Sequence, residues 1–337
     1  MNIFGSTPSA LSEYFKSKGE NPAKAALVFD AIYRKKVINF SDIGFSERIS
    51  EMLNQDFEIT LPEIVQKLDS SDTAKLLLRL SDEEYVETVL MRQKFGNCIC
   101  VSTQVGCAMG CKFCQSGRLK KRRNLLAHEI VGQLMAVQKE FDIKVTGVSV
   151  MGIGEPFDNF DNVKDFCEIL TAPKGLEIGE KHITVSTCGL VPQIRRYADL
   201  SHPCNLAISL HAPNDDLRSE LMPINKKYPL SELMSAAEYF SEKANRRVTL
   251  EYIMLSEIND LPEHAQQLAE LIGKRNFYVN IIPYNPTDAD CYQKSCRERI
   301  MAFYDVLKKN SIGVTMRREF GTELKAACGQ LSAEHTK

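Results

Sequence analysis

The stretch CVSTQVGCAMGCKFC, residues 100–114, decides the fold, because it sets a dense group of thiols directly after a β-strand pattern. Three of its cysteines, Cys107, Cys111 and Cys114, form a C-x3-C-x2-C run, and Cys100 lies seven residues before it. Three thiolates can hold zinc or an iron–sulfur cluster. A structural zinc site takes four ligands, usually as two pairs, and the chain has no second C-x2-C or H-x3-H pair. A [4Fe–4S] cluster also takes four ligands, so three thiolates from the chain leave one iron open for a small molecule.

From this run onward, β-type and helical segments alternate along the chain. Six β-type runs follow residue 98, namely CICVST, VTGVSVMG, HITVST, NLAISLHA, VTLEYIML and YVNIIPYN. Amphipathic segments lie between them, with apolar residues three or four positions apart. Strands that alternate with helices pair in parallel and curl in one direction, and six units are too few to close an eight-unit barrel. We therefore predict an α/β fold with a partial (β/α)6 barrel, and GVTMRRE at 313–319 is a candidate final strand.

The residues before the predicted barrel show other sequence patterns, first of a helix and then of a hairpin. In NPAKAALVFDAIYRKKV, Asn21 and Pro22 begin a helix whose apolar residues share one face. AKLLLRLSDEEYVETVLMRQ is typical of a hairpin that turns at 81–84. We predict four parts: a small helical N-terminal domain at 1–70, a β-hairpin extension at 71–97, the partial barrel at 98–331 and a flexible tail at 332–337.

The composition indicates in which cellular compartment the protein works and to which broad class it belongs. The chain has 337 residues, a net charge of −2 and eleven cysteines. It shows neither an apolar run near the ~20 residues of a membrane span nor the pattern of a signal peptide at its start. We therefore expect a cytoplasmic protein without a membrane association. Its odd number of cysteines is then reduced and does not form a disulfide framework.

One stretch is strongly basic, although the net charge of the whole chain is close to zero. No acidic residue lies between Thr88 and His128. Eight basic residues lie there: Arg92, Lys94, Lys112, Arg118, Lys120, Lys121, Arg122 and Arg123. The loop RLKKRR, 118–123, is either a solvated loop or a phosphate-binding surface. Its position directly after the cysteine run favours the phosphate-binding surface.

Four further motifs follow predicted strands, at the end where a barrel carries its functional loops. GIGEP follows the second strand, STCG the third, SLHAPND the fourth and YNP the sixth. Each is weak alone, and a single histidine such as His211 is more often structural than catalytic. Their common position at one edge of the sheet, together with the cysteine run, predicts a single site.

The C-x3-C-x2-C run, with Phe113 before its last cysteine, resembles the signature of the radical S-adenosylmethionine (SAM) superfamily. The resemblance implies that Cys107, Cys111 and Cys114 bind a [4Fe–4S] cluster whose fourth iron is chelated by SAM. It also implies that Gly154 lets the backbone approach SAM and that Glu155 accepts a hydrogen bond from its ammonium group. The resemblance assigns the remaining contacts, with the SAM ribose, carboxylate and adenine, to Ser186, Ser209, Leu210, His211 and Asn285.

Motifs along nearly the whole chain point to one family within this superfamily. VET, CxSxQxGC, LAISLHAPND, MPINKKY, EYIML, IPYNP and AACGQL, the last at 326–331, are similar to the RlmN/Cfr family of RNA adenine methylating enzymes. The resemblance implies methylation of carbon 2 of adenine 2503 in 23S rRNA, and of adenine 37 in some tRNAs. It also implies an external electron donor such as flavodoxin or ferredoxin, and we expect a monomer. Two alternatives stay open: carbon-8 methylation, as in the Cfr group, and a metal-cluster RNA-binding module without catalysis.

The family resemblance also implies a reaction route that needs two SAM molecules per turnover. One SAM methylates Cys328, and a second is cleaved to a radical that takes hydrogen from the new S-methyl group. The resulting methylene radical adds to adenine, and Cys100 then attacks the Cys328 sulfur and forms a transient disulfide. Cys98, two residues away, is the rival for that role. Glu87 matches a proton-handling carboxylate, although an ion pair with a neighbouring base would also explain it.

The adenine has to be unstacked to reach the cluster, so the RNA substrate should be a loop or an opened helix end. The expected RNA-binding surfaces are the N-terminal domain and the loop residues Arg118, Lys120, Lys121, Arg122 and Arg123.

One segment departs from the family pattern. After the last cluster cysteine the family usually has Ala-Thr-Gly, whereas this chain has Gln-Ser-Gly at 115–117. We expect cluster binding to survive that change.

Overall fold

The computed structural model of the chain describes residues 1–286, 292–317, 324 and 326–331. Within these ranges the chain forms twelve β-strands and ten α-helices. The strands are β1 Glu63–Asp69, β2 Thr73–Arg79, β3 Tyr85–Gln93, β4 Gly96–Cys100, β5 Gln104–Val105, β6 Arg123–Asn124, β7 Val145–Val150, β8 Ile183–Thr187, β9 Asn205–Ser209, β10 Val248–Met254, β11 Phe277–Pro283 and β12 Gly313–Met316. The helices are α1 Pro8–Ser17, α2 Lys24–Phe29, α3 Glu47–Asp56, α4 Ala127–Phe141, α5 Phe160–Thr171, α6 Val191–Ala198, α7 Asp215–Leu221, α8 Leu230–Ala244, α9 Pro262–Ile272 and α10 Arg297–Lys309.

Ten strands form one sheet in the order β1-β2-β3-β4-β7-β8-β9-β10-β11-β12, and β5 pairs with β6 separately. From β4 to β12 each neighbouring pair is parallel, and every crossover contains at least one α-helix. In the described part of the chain the two edge strands do not pair with each other, so the barrel is open. The predicted α/β partial barrel is therefore confirmed. Of the candidate strand at 313–319, Gly313–Met316 form β12, and residues 318–319 lie outside the described part of the chain. The barrel therefore has one strand more than the six predicted.

Side chains of the parallel strands alternate between two environments, because successive residues of a strand point to opposite faces. One face is apolar and packs under the helices, and residues such as Val148, Leu250 and Val279 are fully or almost fully buried there. The opposite face lines the lumen of the barrel and is largely polar. Its residues include Ser149, Thr184, Thr249, Glu251, Asn280 and Thr315. The alternation keeps the hydrophobic core outside the barrel and leaves polar groups inside it.

The N-terminal helices pack on the outside of this barrel. The predicted helix after Asn21 is present as α2, which continues through a π-helical turn at Asp30–Arg34. Its predicted apolar face is buried, with Phe29 and Ile32 each at most 3% exposed. These residues belong to the same hydrophobic cluster as the apolar face of the barrel strands. Burial against the barrel therefore stabilises these short helices, which would be marginal alone.

The prediction of a helical segment up to residue 70 was wrong at its end. The last helix of this segment, α3, ends at Asp56, and Glu63–Asp69 form β1, which pairs antiparallel with β2. Ile64 and Leu68 lie four positions apart, a spacing that also fits a helix face, so the local pattern did not distinguish the two structures. The hairpin of β2 and β3 is present as predicted.

The division into four domains stays a prediction, and the tail at 332–337 lies outside the described residues. In the part of the chain that the structure describes, no helix has both the length and the hydropathy needed to cross a bilayer.

Candidate active site

A cavity opens where the parallel strands end, and the loops that follow β4, β7, β8 and β9 line it together with residues of β10 and β11. The predicted site residues on its wall are Cys107, Cys111, Cys114, Gly154, Glu155, Ser186, Ser209, His211 and Cys328. A second cavity adjoins it and is lined by Cys100, Asn285 and again Cys328. Leu210 is fully buried instead of lining either cavity, and its N–H and carbonyl groups are both hydrogen-bonded within the chain. The structure thus brings residues from opposite ends of the barrel sequence to one place.

The loop that carries the three cysteines is folded tightly on itself. The N–H of Cys114 donates to the carbonyl of Cys111 at 3.2 Å, and that of Gly117 donates to the carbonyl of Cys114 at 3.1 Å. A Cβ atom on Gly117 would stand 2.7 Å from the Cys111 carbonyl oxygen, so this position requires glycine. Burial raises the pKa of all three thiols, to about 12 for Cys107. The neighbouring cluster thiols add to the rise at Cys107 and Cys111, and Cys328 adds to it at Cys114.

Glu155 connects two of the loops. Its Oε1 accepts from the Phe157 N–H at 2.9 Å, and its Oε2 accepts from the Cys188 N–H at 2.8 Å. Burial raises the pKa of this carboxyl group, and the two N–H donors oppose that rise. Gly154, just before it, has a φ of +110° and approaches Gln104 so closely that a Cβ atom would stand 2.7 Å from the Gln104 Cβ. The GIGEP loop is therefore held in one conformation against the cavity.

His211 is held as a neutral imidazole. Its Nδ1 accepts a hydrogen bond from the Ile253 N–H at 3.1 Å, which leaves the ring proton on Nε2. Burial lowers the pKa of His211 to about 3. Its ring meets that of Phe113 edge-on, with centroids 4.8 Å apart. His211 therefore offers an N–H donor to the cavity at any pH near neutrality.

Three further polar groups are available to a ligand. The hydroxyls of Ser186 and Ser209, at the ends of β8 and β9, lie 3.5 Å apart. The Oδ1 atom of Asn285 is buried and has no hydrogen-bond partner among the described residues. Because buried acceptors are normally satisfied, this atom fits a site that a ligand completes.

The structure distinguishes Cys100 from its rival Cys98. Cys100 ends β4, faces Cys328 across the second cavity, and is paired in register with Val89 and Ser149. Burial raises the pKa of the Cys100 thiol to about 12, and the nearby Cys328 thiol contributes to the rise. Cys98 lines the barrel lumen below that cavity. Of the two, only Cys100 shares a cavity with Cys328.

Glu87 lies on the same face of β3 as Val89 and Met91, which line the second cavity, but is not itself on the cavity wall. Its Oε1 is 2.9 Å from the Lys75 Nζ, and both side chains are largely buried. The ion pair that the sequence left open as an alternative is therefore present. The role of Glu87 in proton transfer stays a prediction.

The segment that departs from the family pattern contacts the segment that carries Cys328. The N–H of Gln115 donates to the Gly329 carbonyl at 2.8 Å, and the Ser116 hydroxyl donates to the Leu331 carbonyl at 2.7 Å. These bonds hold the C-terminal segment against the cysteine loop. A threonine at 116 would carry the same hydroxyl group, so the departure preserves this contact.

More side chains of the basic loop are paired with carboxylates than the sequence suggested. Lys121 pairs with Asp158 at 2.7 Å, Arg122 pairs with Glu84 at 2.6 Å, and Arg123 pairs with both Asp82 and Glu129. Arg118, Lys120 and Arg122 are the exposed members of the loop. Arg118 donates to the Lys112 carbonyl at 3.3 Å. Among the described residues, Lys121, Arg122 and Arg123 therefore each have a carboxylate partner.

Sequence reasoning missed Arg218, which lies in α7 and is completely buried. Its guanidinium donates to the carbonyls of Leu210 at 3.1 Å, Cys188 at 2.6 Å and Ser209 at 3.2 Å, and to Asn225 Oδ1 at 2.8 Å. Burial lowers its pKa to about 10. Arg218 thus ties together the loops after β8 and β9 that line the cavity. No local signal could have found it, because an arginine in DDLRSEL is typical of a solvated helix face.

Comparison with known proteins agrees with this geometry. Residues 101–309 match the family model described as the radical SAM superfamily. Two curated relatives are each named as a probable dual-specificity RNA methyltransferase RlmN. The one from Enterococcus faecalis is 49% identical over 100% of this chain and 97% of its own length. The one from Listeria welshimeri is 47% identical over 100% of this chain and 94% of its own. The chain belongs to the RlmN family of radical SAM RNA methyltransferases.

A solved structure supports the same family assignment at the level of the whole chain. The crystal structure of a radical SAM methyltransferase from Sphaerobacter thermophilus has a TM-score of 0.92 and 37% identity to this chain. The match covers 99% of this chain and 100% of that one. The similarity therefore extends over the N-terminal helices and the antiparallel extension as well as the barrel.

Membership of the radical SAM superfamily implies a [4Fe–4S] cluster and SAM. Three thiols on one wall of a cavity, beside an unsatisfied buried acceptor and a neutral imidazole, fit these groups. Among the described residues no three Cys, His, Asp or Glu side chains are arranged to hold a single metal ion.

We expect Arg218→Met to lower the free energy of unfolding by about 3 kcal/mol or more, because it leaves three buried carbonyl groups without a donor. Urea denaturation followed by circular dichroism measures this loss. SAM affinity should fall together with stability. Arg195→Met, at an exposed arginine of α6, is the matched control and should change stability by less than about 0.5 kcal/mol. Equal stability of the two variants would contradict the role given to Arg218.

Proposed function

We propose that the protein methylates carbon 2 of an adenine in RNA, adenine 2503 of 23S rRNA, and also adenine 37 of some tRNAs. The position of Cys328 carries the proposal: this residue lines both the cavity of the three thiols and the adjoining cavity of Cys100. A residue that takes a carbon group from SAM and passes it to a base needs access to both cavities. The RlmN names of the relatives, and their dual specificity, support carbon 2 and two RNA substrates.

The cofactors meet a chemical requirement of this substrate. Carbon 2 of adenine is electrophilic and cannot attack the SAM methyl as an ordinary nucleophile would. When bound, the cluster and SAM supply a methyl group and the radical chemistry that this carbon needs. Cys107, Cys111 and Cys114 would be the cluster ligands, because they share one cavity wall. A one-electron donor such as flavodoxin or ferredoxin would supply the electron, and the chain would act as a monomer.

The polar groups of the first cavity would bind SAM. Glu155 has carboxylate lone pairs beyond the two used by backbone N–H groups, and these suit an ammonium group. Gly154 allows the close backbone approach. The paired hydroxyls of Ser186 and Ser209 suit a ribose or a carboxylate. The Nε2–H of His211 provides a donor for the rest of SAM, and the unsatisfied oxygen of Asn285, on the wall of the adjoining second cavity, provides an acceptor. Leu210 contributes by fixing the backbone before His211.

The thiols of the second cavity would carry the carbon. The Cys328 sulfur accepts the methyl group as a thiolate, because a neutral thiol is a poor nucleophile. It then delivers that carbon to the base, which joins the protein and the RNA covalently. Cys100 lines the same cavity as Cys328. After the adduct has given one electron back to the cofactor and lost the proton of carbon 2, the Cys100 thiolate would attack the Cys328 sulfur. The sulfur–sulfur bond forms, the bond between the Cys328 sulfur and the methylene carbon breaks, and that carbon keeps the electron pair, takes up a proton and becomes the methyl group of the released RNA. This step leaves a Cys100–Cys328 disulfide that must be reduced before the next turnover.

Replacing these cysteines one at a time tests the route. We expect Cys100→Ala to stall with protein and RNA covalently joined, visible as a shifted band on a denaturing gel after anaerobic turnover. Cys328→Ala should give neither the joined species nor the product. The matched control is Cys98→Ala, which should release methylated RNA like the unaltered chain. Trapping by Cys98→Ala and normal release by Cys100→Ala would exchange the roles of the two residues and contradict the proposal.

We propose further that Arg118 and Lys120 contact RNA phosphates, because both side chains are exposed in the basic loop. Lys121, Arg122 and Arg123 face carboxylates of the chain and would serve mainly to hold the loop in place. The N-terminal helices would provide a second RNA-binding surface.

Reversing these two charges, as Arg118→Glu with Lys120→Glu, should weaken RNA binding by about tenfold or more near 0.1 M salt. The salt dependence of the affinity should become shallower, since two fewer phosphates are neutralised. Filter binding or fluorescence anisotropy at several salt concentrations measures both effects. Lys308→Glu with Lys309→Glu makes the same charge change on α10 and serves as the control. Unaltered affinity and slope in the loop variant would show that the loop is only solvated.

A further inference from the structure

We propose that Gln104 is a positioning residue whose side-chain amide fixes the GIGEP loop, and with it Glu155, against the strand that leads into the cysteine loop. The inference rests on the function proposed above, in which Glu155 binds the ammonium group of SAM. Gln104 is the glutamine of the CxSxQxGC motif, and the proposed route gives it no role.

The side-chain amide of Gln104 is fully buried and bonds to three other residues. Its Oε1 accepts from the Glu155 N–H at 2.9 Å. Its Nε2 donates to Asp158 Oδ2 at 2.9 Å and to Asn124 Oδ1 at 2.8 Å, so both amide hydrogens are used. One neutral side chain on β5 therefore joins the GIGEP loop, the turn Pro156–Asn159 and the strand β6.

Close packing fixes the GIGEP loop at the same point. The N–H groups of Thr103 and Gln104 both donate to the Ile153 carbonyl, at 2.8 Å and 3.2 Å. A Cβ atom on Gly154 would stand 2.7 Å from the Gln104 Cβ and 2.8 Å from its Cγ. The Gln104 side chain thus fills the space that a side chain at position 154 would need.

The place of Glu155 in the cavity depends on this contact. Its carboxylate accepts from the N–H groups of Phe157, in the same turn, and Cys188, in the loop after β8. Gln104 holds its backbone N–H and so joins the turn to the side of the cavity that carries the three thiols. In the proposed function SAM contacts the cluster and Glu155 together. A shift between these two walls would therefore weaken its binding.

Asp158 extends the connection to the basic loop. Its Oδ2, which accepts from Gln104, also accepts from Lys121 Nζ at 2.7 Å. Its backbone carbonyl accepts from Asn124 Nδ2 at 3.1 Å. The side chain that anchors the SAM-binding turn therefore also anchors the loop that is proposed to contact RNA.

A purely structural role for Gln104 makes a different prediction, and Gln138 shows what such a role looks like. Gln138 is a buried glutamine near the end of α4, and its Oε1 accepts from the Val145 N–H at 2.9 Å. Val145 begins β7, and the GIGEP loop follows the other end of that strand. Gln138→Met is therefore the matched control, because it removes the same kind of bond away from the cavity.

Two measurements on the full-length chain, with its cluster reconstituted under anaerobic conditions, test the inference. Equilibrium dialysis gives the affinity for SAM, and hydrogen–deuterium exchange without SAM gives the protection of residues 152–158. Gln104→Met should weaken SAM binding by about tenfold or more and speed exchange of the Glu155 amide by a similar factor. Gln138→Met should speed exchange at Val145 and leave SAM affinity within about twofold.

A rescue experiment separates positioning from a loss of folding. Gln104→Glu keeps an acceptor for the Glu155 N–H but places a second carboxylate against Asp158, and should weaken SAM binding by about tenfold. Adding Asp158→Asn restores a donor opposite an acceptor at the net charge of the unaltered chain. The double variant should therefore recover SAM affinity to within about threefold.

Two results would overturn the inference. One is a folded Gln104→Met chain that binds SAM, and protects residues 152–158, as well as the Gln138→Met chain does. The other is a folded double variant that binds SAM no better than Gln104→Glu, and this comparison decides the question if Gln104→Met does not fold. Failure of the unaltered chain to bind SAM would instead contradict the proposed function. Exchange measured without SAM would still decide the role of Gln104.

Discussion

Parallel pairing of the strands from β4 to β12 is the constraint on which the site depends. Because the strands run in one direction, the loops that follow β4, β7, β8 and β9 all emerge at the same edge of the sheet. The alternation of side chains then sends apolar residues toward the helices and polar residues toward the lumen. Glu251, which is buried, is tolerated there because it accepts a hydrogen bond from the half-buried Asn280. One pattern of pairing thus builds both the core and the site.

The second requirement is that the C-terminal segment docks on the cysteine loop. Cys328 follows Cys114 by more than two hundred residues, yet the two line the same cavity. Two hydrogen bonds, from the Gln115 N–H to Gly329 and from the Ser116 hydroxyl to Leu331, join the two segments. The reactive thiol is therefore positioned by the residues that directly follow the last cluster cysteine. In the proposed route this contact sets the distance between the carbon donor and the residue that accepts the carbon.

The sequence predicted those features whose signals are local. Cysteine spacing indicated the cluster loop, alternating strand and helix patterns indicated the barrel, and the motifs at strand ends indicated the cavity. Features that depend on tertiary contacts were missed. The strand β1 depends on pairing with β2, and its own apolar spacing also suits a helix. The partners of Arg122 and Arg123 come from the hairpin turn, so the basic loop looked unpaired. Arg218 bonds mainly to carbonyl groups, which every residue carries and no sequence pattern marks.

The most direct test of the account is nucleoside mass spectrometry after anaerobic turnover on a 23S rRNA fragment, with SAM deuterated at its methyl group. The account predicts 2-methyladenosine whose new methyl group carries two deuterium atoms and one hydrogen, because the carbon passes through a methylene on Cys328. 8-Methyladenosine with the same isotope pattern would keep the route and move the modification to carbon 8. A methyl group that retains all three deuterium atoms would mean direct transfer from SAM, and would contradict the roles given to Cys328 and Cys100.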